Sequence, residues 1–263
     1  MKPVAGSRVG VCWVGVCLGL AMLMIATPST GEDSAGEGSG GENVSLVSAR
    51  LGEVLDWSLM TDRDGIRVYA ASSRQLRLRA FRGETDMHID DFRALAPQLD
   101  DYASVASWMH MVSEISELGR REDHDRDLHL ATYLPWPVRN RDAVLRVSLQ
   151  QDPADYTLTV TYDDTDSGWP SQPGYLRMPT MAGQLQFRPL APPKVAVSFE
   201  VIADPGGAIP AWLGNMMMRD IPYFSLYRLK RVVNQTTGPL DYHPAVVAPP
   251  GWPAAGALAG PQP

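Results

Sequence analysis

Cysteine is nearly missing from this chain. Cys12 and Cys17 are the only two among 263 residues, and both fall within the first thirty positions. The rest therefore has no disulfide, no thiol nucleophile and no cysteine-ligated metal. Basic blocks are missing as well. The formal net charge is −7, and beyond the N-terminus no cluster of Lys and Arg stands ready to neutralise phosphates. That argues against nucleic acid and gives little support to strong attraction by anionic lipid surfaces. There is no Gly-x-Ser-x-Gly elbow, no phosphate-cradling glycine loop and no dinucleotide fingerprint. Histidine is sparse, and His88, His110, His124, His129 and His243 do not pair at metal-ligand spacing on a helix. His124 and His129 stand among Asp123, Asp125 and Asp127, a charge run that reads as a solvated acidic loop, with a metal site as the alternative. Asp163-Asp164-x-Asp166 lacks the glycine and distal glutamate of a calcium loop and reads as a turn. No cofactor, metal or catalytic residue is expected.

What is present begins with a leader. Lys2 and Arg8 precede an uncharged apolar run, Val9 to Ile25, followed by small and turn-forming residues. This is the pattern of a secretory signal over residues 1–30, so the protein is expected to be periplasmic or exported. The run is about 17 residues, near the lower limit for crossing a bilayer, so an inner-membrane anchor at residues 9–25 is the alternative. Val16 before Cys17 fits a lipoprotein site poorly. Residues 31–43, rich in Gly, Ser and Glu, form a flexible linker. Hydrophobic residues make up 44% of the chain, enough for one core in what remains.

Periodicity organises residues 44–237 into one domain. Val44, Val47, Leu51, Val54, Leu55 and Leu59 repeat near 3.6, which predicts a helix over Val44 to Met60. Strands are predicted at Ile66 to Ala71 and at Leu76 to Phe81, the second continuing to Met87. Asp90 and Asp91 open a helix at Phe92 to Leu99, and another spans Tyr102 to Ser107. Extended segments follow at Trp108 to Leu118, Leu128 to Leu134, Asp142 to Leu149, Tyr156 to Tyr162, Gly183 to Pro189 and Lys194 to Ala203. Pro, Gly and Asp punctuate them. Ile209 to Gln235 reads as one long helix, with Pro210 in its first turn, Gly238 past its end and Pro222 kinking its middle. Residues 238–263, rich in Pro, Ala and Gly, are expected to be disordered. Runs of strands without alternating helices make this an α+β fold with an antiparallel sheet.

The last helix carries Ile209, Trp212, Leu213, Met216, Phe224 and Tyr227 along one face, broadened by Met217 and Met218. Such a stripe is ordinary core packing or, given the adaptability of methionine, a wall that yields to a ligand. An ordered set of segments then resembles the StAR-related lipid-transfer (START) family. These are Trp57 with Asp62-Arg-Asp-Gly-Ile66 and Val68-Tyr69, Trp108 after two short helices, and Pro135-Trp-Pro-Val-Arg-Asn-Arg-Asp-Ala-Val144. Asp204-Pro-Gly-Gly-Ala-Ile-Pro-Ala-Trp-Leu-Gly-Asn215 and Pro222 with Leu226 and Leu229 complete the set. The resemblance implies a helix-grip fold, with a curved antiparallel sheet wrapped around a long C-terminal helix and a tunnel between them for one sterol, phospholipid or fatty acyl ligand. It implies a monomer with transient membrane contact, binding without covalent catalysis; the alternative is a cyclase or hydrolase on the same scaffold. It also points to Arg141 as a cavity residue or a structural ion pair, with Tyr133 and His129 on the preceding strand instead of an obvious carboxylate. Trp136, Met178, Met181, Trp212, Met216, Met217 and Phe224 complete the expected ligand-binding set.

Overall fold

A computed structural model describes residues 45–122, 125–134, 136, 138–166, 168–235 and 242–252. The expected leader and linker, His124 and both ends of the Pro/Ala/Gly-rich tail lie outside these residues. Helix α1 (Leu46–Leu51) opens the fold. The Ser45 hydroxyl caps it by accepting from the Ser48 amide at 3.3 Å, and Gly52, at φ 62°, ends it. This stops the helix well short of the predicted Met60. Val54 and Leu59, which seemed to extend its apolar face, are exposed, and Leu59 already belongs to a strand. The 3.6 spacing thus ran by coincidence across a glycine that favours the left-handed C-cap conformation.

Strands β1 (Ser58–Arg63), β2 (Ile66–Ala71) and β3 (Ala80–His88) come next. A 3-10 turn at Phe92–Ala94, helix α2 (Leu95–Asp100) and helix α3 (Tyr102–Trp108) follow. Asp91 accepts from the Arg93 amide and Asp101 from the Ser104 amide, so aspartate caps start the 3-10 turn and α3. The chain then runs through β4 (Val112–Glu122), β5 (Asp125–Thr132), β6 (Asn140–Gln151), β7 (Leu158–Asp164), β8 (Tyr175–Arg177), β9 (Thr180–Ala191) and β10 (Lys194–Asp204). Helix α4 (Ala211–Val232) closes it. The sheet order is β1-β2-β3-β10-β9-β7-β6-β5-β4, antiparallel throughout, with β8 added parallel to β6. The three-residue β8 carries too little alternation to be read from sequence.

Helix α4 lies against β2, β3 and β10 and touches α3. Its close approach is set at Gly83, where an added Cβ would fall 2.8 Å from Leu226 and 2.9 Å from Pro222. The main core, including Phe81, Phe187, Phe199 and Leu226, fills the space between sheet and helices. A second, smaller core, built from Val47, Leu51, Ala182 and Ile202, lies under α1.

Part of the tail is packed, contrary to the expectation of disorder. In residues 242–252, Val246 and Trp252 are buried. The Trp252 ring meets Phe92 edge-on at 5.7 Å, and its Nε1 donates to the Ile89 carbonyl. The Gln151 side-chain amide donates to the Val247 carbonyl at 3.0 Å and accepts from the Val247 amide at 2.8 Å. Pro, Ala and Gly oppose regular structure, but they do not prevent packing when a side chain supplies the bonds a neighbouring strand would. We call this segment the C-terminal strap.

Candidate ligand cavity

Strand alternation decides which side chains face the interior. On β5, Leu128 and Leu130 point inward, and on β6 Leu145, Val147 and Leu149 do the same. With Val160, Tyr162, Met181, Leu185 and Phe199 they wall a chamber of about 100 Å³. Leu99, Tyr102, Val105 and Trp108 from α2 and α3 cover it. A second chamber of about 50 Å³ lies beneath the first half of α4, lined by Leu134, Met178, Val201, Met217, Met218 and Ile221 among others. Both chambers share Met109, Met181 and Phe199 as wall, so together they form one apolar interior with a waist.

The expected ligand-binding residues divide. Arg141, Met178, Met181 and Met217 line the interior. Phe224 packs against the His110 ring at 4.9 Å, beside the second chamber. His129 does not face the interior: it is out of phase with Leu128 and Leu130, and its Nε2 bonds Asp142 at 3.0 Å. Arg177 completes that cluster with two bonds to the same carboxylate, so Asp142 is the structural hydrogen-bonder on the far face of the sheet. Burial, the largest single influence, pushes the carboxyl up, but the bonds and charges of Arg177 and His129 together outweigh it and hold the group below its usual range. Tyr133 and Trp136 are 63% and 91% exposed, and Trp212 and Met216 are 70% and 45% exposed. None of the four forms cavity wall. The first pair lies in a loop, where no periodicity tells inside from outside, and the second pair occupies the solvent side of α4.

Arg141 lines the second chamber, as expected of a cavity residue, but its partners are backbone carbonyls and not a carboxylate. Its Nε donates to the Pro205 carbonyl at 2.8 Å and its Nη2 to the Gly206 carbonyl at 3.2 Å. Its Nη1 donates to the Arg139 carbonyl. Every guanidinium nitrogen is thus engaged by backbone, and the side chain grips the turn that leads into α4. Burial, and secondarily the Arg139 charge, push its pKa down.

Sequence reasoning missed other polar groups that reach the interior. Arg126 stands two residues before Leu128 and four before Leu130, in phase with the inward face, and it lines the larger chamber. Starting the strand at Leu128 and reading 123–127 as an acidic loop concealed it. The structure begins β5 at Asp125. Arg126 is paired through both Nη atoms with the Asp100 carboxylate of α2. Tyr102 donates to Glu117 at 3.2 Å, and burial first of all pushes its phenol up to about 12. His110 lines the second chamber, with its Nδ1 buried and unbonded among the described residues. Burial and the nearby Arg228 charge lower its pKa, which favours the neutral imidazole.

This architecture has relatives. A fragment of the STAR-related lipid transfer protein from Xanthomonas axonopodis is 31% identical, covers 68% of this chain and 99% of its own, and superimposes with a TM-score of 0.61. The chain belongs to the START family. The uncharacterized protein PA1579 of Pseudomonas aeruginosa is 31% identical over 175 residues, which span 66% of this chain and 85% of that protein. Human STARD10, 16% identical over 67% of this chain and 72% of its own, shares the START fold at a TM-score of 0.60. No protein-family model matches the sequence. The expected helix-grip architecture is the one observed, with α4 held against an antiparallel sheet.

Proposed function

We propose that this START-family chain binds one hydrophobic, lipid-like molecule and carries or presents it, as a monomer and without covalent chemistry. The supporting observation is the interior itself: two adjoining chambers with mainly apolar walls between sheet and helices. Apolar burial contributes about 25 cal/mol per Å², so a ligand hiding a few hundred Å² gains several kcal/mol before ordering costs. The chambers, at about 100 and 50 Å³, are smaller than the roughly 300–1,000 Å³ of typical ligand sites. A lipid therefore requires the walls to yield. Methionine is suited to that, and Met109, Met178, Met181, Met217 and Met218 supply much of the lining around the waist and under α4.

The proposed setting is the periplasm or its membrane surface. The leader supports export, and no helix among the described residues is long and apolar enough to cross a membrane. Exposed Trp212 and Met216 flank Gly214 and Met217 of the second chamber, and Tyr133 lies between its Thr132 and Leu134. Aromatic side chains placed there suit transient insertion at a lipid interface, where an apolar body and a polar tip are both accommodated.

The test is to purify the protein under mild conditions, extract it with organic solvent and identify released molecules by mass spectrometry. A single lipid class recovered near one equivalent is the expected result. Protein that is repeatedly empty, and that takes up no member of a panel of sterols, phospholipids and fatty acids, would overturn the proposal.

A further inference from the structure

Within the binding function just proposed, the second chamber is lined by apolar side chains and by three polar ones, Thr132, Arg141 and His110. The first two are engaged. Thr132 donates its hydroxyl to the Arg141 carbonyl at 3.1 Å. The Arg141 guanidinium has Nε, Nη1 and Nη2 on the carbonyls of Pro205, Arg139 and Gly206. His110 is different. Its Nδ1 is buried and has no hydrogen-bond partner among the described residues, yet the residue around it is firmly held. Phe224 of α4 lies against the ring at 4.9 Å, and the His110 amide donates to the Ser225 hydroxyl at 2.9 Å. The next residue, Met111, has φ 65°, in the left-handed region that a residue with a side chain seldom enters. Its carbonyl accepts from the Tyr133 amide at 2.9 Å, which fixes the turn. Backbone outliers of this kind gather at ligand sites, and a buried ring nitrogen without a partner is costly until something pairs with it.

We propose that His110 is a specificity-determining residue of the second chamber, its Nδ1 pairing with a neutral ligand group that both donates and accepts, a hydroxyl or an amide. The inference rests on the hydrophobic-cavity reading and adds which end of the ligand lies where. The chemistry of the ring fixes the class. Burial first, then the Arg228 charge, favours the neutral imidazole against the opposing pull of Asp220. A neutral imidazole carries one N–H and one lone pair, so a hydroxyl or an amide satisfies Nδ1 in either tautomer. An ionised carboxylate only accepts and fits one tautomer. The Nε/Nη2 fork of Arg141 that would hold it is already on Pro205 and Gly206. An ammonium would set a further cation in a chamber of low dielectric beside Arg141, where like charges oppose one another strongly. The polar end of the ligand therefore lies beneath α4, and its apolar body crosses the waist at Met109, Met181 and Phe199 into the larger chamber.

The test uses the full chain loaded with Nile red, a neutral dye whose fluorescence reports an apolar site. The dye is displaced with 1-decanol, 1-decene or sodium decanoate, from the native protein and from His110→Phe. The variant keeps a ring against Phe224 and removes both nitrogens. Its 1-decanol affinity should fall about fivefold, the usual size of one neutral hydrogen bond, while its 1-decene affinity does not fall. An unchanged 1-decanol affinity, equal losses for 1-decanol and 1-decene, or a larger loss for decanoate than for 1-decanol would overturn the proposal. Should the variant fail to fold, the His110 15Nδ1 resonance of the native protein decides. It should move on adding 1-decanol and stay in place with 1-decene; movement with both or with neither overturns the assignment. Nile red that never enters the native chain would defeat the cavity reading itself. Displacement that takes no account of His110 would defeat only this inference.

Discussion

Glu200 is a deeply buried carboxylate on the side of the sheet that α1 covers. It is 3% exposed, accepts from the Ser45 hydroxyl that begins the helix, and has the Gln184 amide and the Arg82 guanidinium each at 3.5 Å. Burial is the largest influence and raises its pKa above the ordinary 4.5, against the lowering pull of Ser45 and Arg82. The sign follows from linkage. Between 4.5 and the raised value the folded chain binds more protons than the unfolded one, so stability falls as pH rises through that window, and the cost of the ionised form is fully present above it. Glu200→Gln keeps an acceptor for Ser45 and removes the charge. It should stabilise the protein at pH 7 by about 1 kcal/mol, a Tm gain of roughly 2–4 °C at this size. Melting both proteins from pH 4 to 8 checks it: the gain should shrink toward pH 4, and a gain independent of pH would rule out titration as its source. Neither Glu200 nor Arg126 stood out in the sequence. A strand pattern tells which side a residue faces, but a charged residue on a buried side looks the same as one facing water until the opposing layer is known. Met178, Met181 and Met217 were legible because apolar composition and burial agree. Trp136 and Trp212 were misleading because a large aromatic exposed to solvent has the same letter as one in the core.

At the scale of elements, the period-two segments located most strands, since one buried face writes itself into alternation. The failures came where period and packing part company: α1 cut short by Gly52, β8 too brief, and a strap held by side-chain bonds. Helix α4 was read at nearly its full length, and the structure adds how unevenly it is held. In its second half, the Tyr223 hydroxyl donates to Asp64 at 2.5 Å and accepts from Arg63 at 2.8 Å, and Lys230 donates to Thr85 at 3.2 Å. In the first half, Asn215 accepts from the Arg79 amide and Leu78 packs at Gly214. Pro222 divides the halves where the helix rests on Gly83. It removes an intrahelical donor, so bending is cheapest there. If the first half swings to admit ligand, Pro222→Ala should slow both uptake and release of Nile red in stopped-flow mixing while equilibrium affinity is preserved. Unchanged rates would leave α4 a fixed wall.

For the whole molecule, the interior needs closure at two places. Beneath α4 the Arg141 grip and the methionine wall close the second chamber. At the other, the first chamber ends near Leu149, which also borders the groove under His243 and Val246 of the strap. The strap therefore meets the end of the chamber wall at Leu149 without lining the chamber itself. Its anchor is Trp252, 8% exposed and set against Phe92, which is itself fully buried. Removing that ring strips cover from Phe92 and releases the bond to the Ile89 carbonyl. Truncations of buried Trp or Phe cost about 3–5 kcal/mol, so Trp252→Ala should lower the urea midpoint by that amount divided by the unfolding slope. It should also speed Nile red release, because the side of Leu149 away from the chamber loses its cover. These two effects separate a wall from an appendage. A strap that merely decorates the surface would leave both midpoint and release rate unchanged. One that only stabilises would move the midpoint alone. A strap that closes the chamber must move both, and the release rate should rise even at temperatures where the variant remains fully folded.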